Sequence, residues 1–250
     1  MLKRIAVVES NDPEELEAQS TDEIHFTTLD DGVLPNLVDA MIPGLQHEVA
    51  IPLATSLANR SNSILLMLSE AIDCRESFVP GGSQRLLDHA AKFAVALELS
   101  KSDQVILERS ALLRDIGKLQ IKNEVLLKNG LLTYDEWELI HRHPHIGADI
   151  VKGMEGFTDL EPIIRHHHET WDGDGYPDKL EGDAIPYLAR ALKIIDVYCA
   201  MTSPRPYRDN VHAKDGALEH IASEKGKHFD PEMVDVFLDN DIAGDPLQVS

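Results

Sequence analysis

The stretch His166-His167-His168-Glu169-Thr170-Trp171-Asp172-Gly173-Asp174-Gly175-Tyr176-Pro177 combines three successive histidines, an acid and the densest turn signal in the chain. Aspartate alternating with glycine, closed by proline, is loop composition. Adjacent residues on a helix diverge by about 100°, so at least one of the three histidines must point inward. The segment therefore predicts a helix that ends by carrying imidazole into the interior, followed by an ordered loop.

On both sides of this stretch the apolar residues recur at helical spacing. The pattern predicts helices over Arg85 to Leu99, and over Asp103 to about Ile116 with Ser102 as cap and Gly117 as terminator. Thr133-Tyr134-Asp135-Glu136 has the form of a capping box opening a helix to His141, and Pro144 starts the next. Further helices are expected at Asp159 to His168, Tyr187 to Met201, Val211 to Glu224 and Pro231 to Leu238. The expected fold is all-α. The division is an N-terminal region, 1–82, and a helical domain, 83–250. Within the first, Lys3 to Val8 reads as a short strand and His47 to Ile72 as a long helix, an interaction region through which a homodimer is expected to form. Pro80-Gly81-Gly82 separates the two parts.

The 250 residues carry a formal net charge of -21, whose field opposes approach to a nucleic acid polymer but not to a small anion in a basic pocket. No uninterrupted apolar run of about 18 residues occurs and the apolar start is too short for a signal peptide, so no membrane association and a cytoplasmic location are expected. Two cysteines, Cys74 and Cys199, provide neither a disulfide framework nor a thiolate zinc site. Nine of the twelve histidines lie after residue 100. The metal-competent residues there are Asp115, the His141/His143/His145 group, the run His166 to Glu169, and Asp196. Imidazole with carboxylate is the donor mixture of hydrolytic iron, manganese or zinc sites. Asp196 lies inside the apolar run Ala191 to Met201, where a buried carboxylate requires a cation.

Leu112-Leu113-Arg114-Asp115-Ile116-Gly117-Lys118, then Arg142-His143-Pro144-His145-Ile146-Gly147, then His167 to Pro177, then Asp196 through Thr202-Ser203-Pro204-Arg205-Pro206-Tyr207-Arg208, resemble the HD-GYP family in order and spacing. The resemblance runs from Ser83 to Phe237. It implies an HD-superfamily helical bundle whose members hydrolyse cyclic di-GMP with two or three metal ions, usually iron or manganese. By that resemblance Asp115 and Lys118 are catalytic, and Asp115 bridges two metals. His143, His167 and His168 complete one site, and Asp196 belongs to the other. Lys118, Arg205 and Arg208 hold phosphates, a role suited to a point charge and two planar forks. Tyr176 stands beside the ligand, and the Gly-Tyr-Pro loop is implied to contact diguanylate cyclase domains.

Four positions depart from the family pattern. Arg114 replaces the histidine of the His-Asp pair, the upstream Glu and His ligands fall on Phe78 and Gly82, and a further carboxylate position is Cys199. All the losses fall on one side. The expectation is one divalent ion rather than two or three, with Arg114 as the replacement cation. At about 4 Å its charge would oppose a second ion by roughly 4 kcal/mol per unit charge at an intermediate dielectric. The competing expectation is that Arg114 turns outward and water or a neighbour such as His89 fills the gap. Two functions follow: a protein that binds cyclic di-GMP or partner proteins with impaired or absent hydrolysis, or an active phosphodiesterase. A purely structural bundle leaves the histidine run and the phosphate-binding residues unexplained.

Overall fold

Leu65, Leu68 and Ile72 recur at the spacing of one helix face. In a computed structural model of the chain, which describes residues 62–75, 81–128, 130–203 and 214–244, they lie on helix α1 over 62–75. The chain divides into two compact units, Met1–Ser61 and Asn62–Ser250, and every described residue belongs to the second. The strand expected at Lys3 to Val8, the part of the long helix before 62, Phe78, Arg205 and Arg208 lie outside the described residues. Leu65 and Ile72 bury into one core cluster with Leu112, Leu113 and Ile164. Ser69 shares a 2.7 Å hydroxyl contact with Ser83, and Glu70 accepts the backbone N–H groups of Gly81 and Ser83. The compact unit that carries the histidines thus includes a helix that lies ahead of residue 83.

Helix α2, Gly82–Ala96, begins three residues earlier than Arg85. Helix α3 is Lys101–Leu113. Its cap is Ser100, whose Oγ accepts the Asp103 N–H at 3.1 Å, and not the expected Ser102. The helix also stops before Ile116, and the chain continues as a 3-10 turn, Ile116–Gln120. A short helix α4, Asn123–Leu126, was not expected from the pattern. Helix α5, Tyr134–His141, opens on the predicted capping box, with the Thr133 and Glu136 side chains each bonding the other's backbone N–H. Helix α6, His143–Lys152, has Pro144 in its first turn. The 3-10 turn Thr158–Leu160 leads into α7, Glu161–His166, which ends two residues before the predicted His168. Helices α8, Tyr187–Thr202, α9, Lys214–Ser223, and α10, Pro231–Asp239, complete the bundle. No strand occurs among the described residues.

Two apolar clusters hold the helices. Phe93 of α2, Leu107 of α3, Leu192 and Ile195 of α8 and Phe237 of α10 form one; α1, α3, α6 and α7 form the other around Leu113 and Ile164. Helix α3 contributes to both, so its C-terminus emerges between them. Ile242 and Ala243, after α10, return into the first cluster, where His89 Nδ1 donates to the Ile242 carbonyl at 2.8 Å and Tyr198 to the Ala243 carbonyl at 3.1 Å. His89 is therefore committed to the C-terminal segment, and the competing expectation that it fills a vacant ligand position is not met.

Candidate metal centre

Glycine brings the two halves of the centre together. A Cβ on Gly117 would collide with the His143 carbonyl oxygen and stand 2.7 Å from the Gly147 nitrogen. With hydrogen there instead, the 3-10 turn lies directly on the first turn of α6, which sets Asp115 and Lys118 beside His143. Gly175 does the same for the loop: a Cβ there would collide with the backbone of Glu169 and Thr170. The close return stacks Tyr176 between His141 and His168, with ring centroids 4.0 and 4.8 Å apart.

Three imidazoles converge. The donor nitrogens of His143, His167 and His168 lie within 4.8 Å of one another, and His143 Nε2 is 3.2 Å from His168 Nε2. His143 Nδ1 donates to the Ile140 carbonyl at 2.8 Å and His167 Nδ1 to the Ile164 carbonyl at 2.7 Å. These bonds place the ring proton on Nδ1, so Nε2 of each neutral ring presents a lone pair to the centre. His167 Nε2 is buried with no hydrogen-bond partner, a costly arrangement unless something electron-poor faces it. Burial pushes the His167 pKa down to about 3 and lowers His143 and His168 as well, so all three stay neutral near pH 7. Neutral, oriented, converging imidazoles with one orphaned nitrogen fit a divalent transition-metal ion.

The carboxylates are arranged differently. Asp115 reaches this group at His143 Nε2, 3.3 Å from its Oδ1, but its oxygens do not join the mutually close set, being drawn toward Lys118 Nζ at 3.2 Å and Arg114 Nη2 at 3.2 Å. Burial opposes its charge, yet Lys118 and Arg114 outweigh burial and hold its carboxyl well below the usual range. Asp196 Oδ1 accepts from Arg114 Nε at 2.7 Å. Burial likewise opposes the Asp196 charge, and Arg114 keeps it ionised. The Arg114 side chain is 12% exposed, and although burial disfavours its charge, Asp115, Asp196 and Asp73 together raise its pKa. Asp73, on α1, is a carboxylate that the periodicity gave no reason to notice. Its Oδ2 accepts from Ser83 at 2.7 Å and lies 3.6 Å from where a Cβ on Gly82 would stand.

Several sequence candidates take other roles. His141 stacks on Tyr176, a pairing legible only once the loop has folded back. His145 is exposed and accepts from Arg165. His166 pairs with Asp178 at 2.9 Å, and Glu169 turns away from the centre to accept the Asp178 backbone N–H at 2.7 Å. His166, Glu169 and Asp178 form a second close donor group, but the Arg165 fork already neutralises Asp178 at 2.6 and 2.9 Å. Cys199 is buried, and burial pushes its thiol up to about 12. Its carbonyl and that of Thr202 accept from Arg85, which closes the C-terminus of α8.

An all-helical domain with a histidine-rich, metal-competent centre between two core clusters is the class these features define. The chain belongs to the HD domain family, whose model matches residues 66–233. It is 39% identical to the cyclic di-GMP phosphodiesterase response regulator RpfG of Xanthomonas campestris, over 72% of this chain and 48% of that protein. It is 30% identical to the 3'3'-cGAMP-specific phosphodiesterase 2 of Vibrio cholerae, over 76% of this chain and 37% of that one. The chain thus spans half or less of the length of these relatives. A cyclic GMP-AMP specific phosphodiesterase structure from Vibrio cholerae shares the fold with a TM-score of 0.57 at 24% identity, covering 71% of this chain and 48% of that one. An HDG"Y"P protein from Bdellovibrio bacteriovorus does so with a TM-score of 0.52 at 16% identity, covering 83% and 69%.

Proposed function

We propose that this chain is an HD-GYP-type cyclic di-GMP protein with a reduced metal centre, binding the dinucleotide or partner proteins with impaired or absent hydrolysis. The observation that carries the reading is the Arg114 guanidinium, which spans Asp115 at 3.2 Å and Asp196 at 2.7 Å. Its positive charge occupies the gap between two carboxylates that would otherwise hold a second ion, and Gly82 provides no donor. His143, His167 and His168, with Asp115 adjoining, are the residues that would hold one divalent ion, iron or manganese. When bound, such an ion supplies Lewis-acid contact to a phosphoryl oxygen. Lys118 brings a second positive charge to Asp115, Tyr176 walls the centre from the loop side, and Arg205 and Arg208 are assigned to phosphate on the family resemblance. The Gly-Tyr-Pro loop is a candidate surface for diguanylate cyclase domains. A homodimer through the N-terminal region, 1–82, and a cytoplasmic location belong to the same proposal.

The second reading, an active phosphodiesterase, is favoured by the orphaned His167 Nε2 and by the activities named for the relatives. Metal analysis and turnover separate the two. The protein is expected to hold one equivalent of manganese or iron per chain and to release little linear product from cyclic di-GMP under anaerobic conditions. The combined Gly82→His and Arg114→His variant is expected to gain metal. Two equivalents in the unmodified protein, or product at the rate of the double variant, would overturn the reduced-centre reading.

A further inference from the structure

We infer that His166, Glu169 and Asp178 form a second cation site, where a divalent first-row ion ties both ends of the Gly-Tyr-Pro loop to the end of α7. None of the three belongs to the imidazole centre, so the site stands apart from the function proposed above. One donor atom from each lies within 4.8 Å of the others. His166 closes α7. Glu169 and Asp178 stand at the two ends of the segment that carries Gly173, Gly175 and Tyr176.

The donors have requirements that one ion meets. His166 Nδ1 donates to the Pro162 carbonyl at 2.8 Å, so Nε2 of the neutral ring carries a lone pair. That lone pair faces Asp178 Oδ2 at 2.9 Å. Two ligands held about 2.1 Å from one ion and at right angles stand about 3 Å apart. A proton on His166 would also satisfy this pair, but it would do nothing for Glu169. Glu169 is 2% exposed. Its Oε1 accepts the Asp178 N–H at 2.7 Å, while its Oε2 is buried and, among the described residues, accepts no hydrogen bond. A buried carboxylate in that state is costly. Lys193 lends Glu169 a favourable field, but its ammonium bonds the His168 carbonyl at 3.3 Å. The Arg165 fork neutralises Asp178 and leaves Glu169 unmatched. Beside a bound ion, that fork becomes the outer hydrogen-bond partner that ligating carboxylates ordinarily have. Two carboxylates and one imidazole suit manganese, and Asp178, 34% exposed, gives access from solvent. An ion here fixes the loop whose Tyr176 stacks on His168.

Manganese titration of the full chain tests this, with free ion counted by electron paramagnetic resonance in about 0.15 M salt to screen the acidic surface. Two classes of bound ion are expected, a tight one at the imidazole centre and a weaker one here, where the Arg165 charge opposes the ion. Desalted protein keeps only the first, so the equivalents counted above do not include this site. Glu169→Gln, which retains an acceptor for the Asp178 N–H, and Asp178→Asn are each expected to weaken the second class by about tenfold or more and to leave the first unchanged. Two ligands from opposite ends of the loop keep the test decisive if one variant fails to fold. Arg165→Gln is expected to tighten the second class severalfold, which a purely structural hydrogen-bond network would not produce. Amide exchange across 170–178 is expected to slow as the second ion binds. Absence of a second class, or a second class that a folded Glu169→Gln or Asp178→Asn variant keeps at unchanged affinity, would overturn the site.

Discussion

Arg114 is the residue on which the proposed reduced centre rests. Its guanidinium is hemmed by Asp115 and Asp196 in direct contact and by the field of Asp73. Removing one partner of a buried charge set leaves the others uncompensated, a loss of about 3–5 kcal/mol. Arg114→Ala is therefore expected to lower the unfolding midpoint strongly in chelator, and manganese should recover more stability in the variant than in the unmodified protein. Equal manganese shifts in the two would contradict the replacement. The histidines set a pH dependence of known sign. Unfolded histidine takes up a proton near pH 6.5, whereas His167 stays neutral to about 3. The unfolded state of the metal-free chain thus binds more protons as pH falls from 6.5, and stability declines by about 1.4 kcal/mol per pH unit for each such histidine. Thermal melts of the chelated protein between pH 7 and pH 5 check this, and a flat midpoint would be inconsistent with neutral buried imidazoles.

Among the elements, the 3-10 turn after α3 is the one that the helical pattern could not supply. Apolar Leu112, Leu113 and Ile116 carry the helical pattern of α3 on to Ile116, with Gly117 as its terminator. What ends the helix earlier is the close seat of Gly117 on the start of α6, a contact between residues far apart in sequence. Gly117→Ala is expected to cost about 2 kcal/mol or more, as a collision in a packed interior does, and to weaken manganese binding by moving Asp115 off His143. Calorimetric metal titration with a parallel melt measures both. A neutral substitution would mean that the turn has room that its geometry does not show.

For the molecule as a whole, α1 marks where the bundle begins. Leu65 and Ile72 are 6% and 2% exposed, and burying each such side chain contributes about 1.5–3 kcal/mol. Arg75 adds two bonds from α1 to the Lys118 and Ile121 carbonyls, each 2.9 Å, beneath the 3-10 turn. Deleting 1–61 is expected to leave the melting midpoint and metal binding unchanged, and deleting 1–82 to lower both. Equal midpoints for the two truncations would return the domain boundary to residue 83.

The sequence by itself determined the all-helical class, the capping box at Thr133, the metal-competent histidines and the presence of Arg114 where a ligand was expected. These are local matters: periodicity, cap chemistry and residue identity are written in neighbouring positions. Only the tertiary structure decided that Arg114 points inward onto Asp196, that Asp73 stands beside Gly82, that His141 stacks on Tyr176, and that His89 is spent on the C-terminal segment. Each of those depends on side chains brought together from distant helices, where packing and the pairing of buried charge, rather than local propensity, set the outcome.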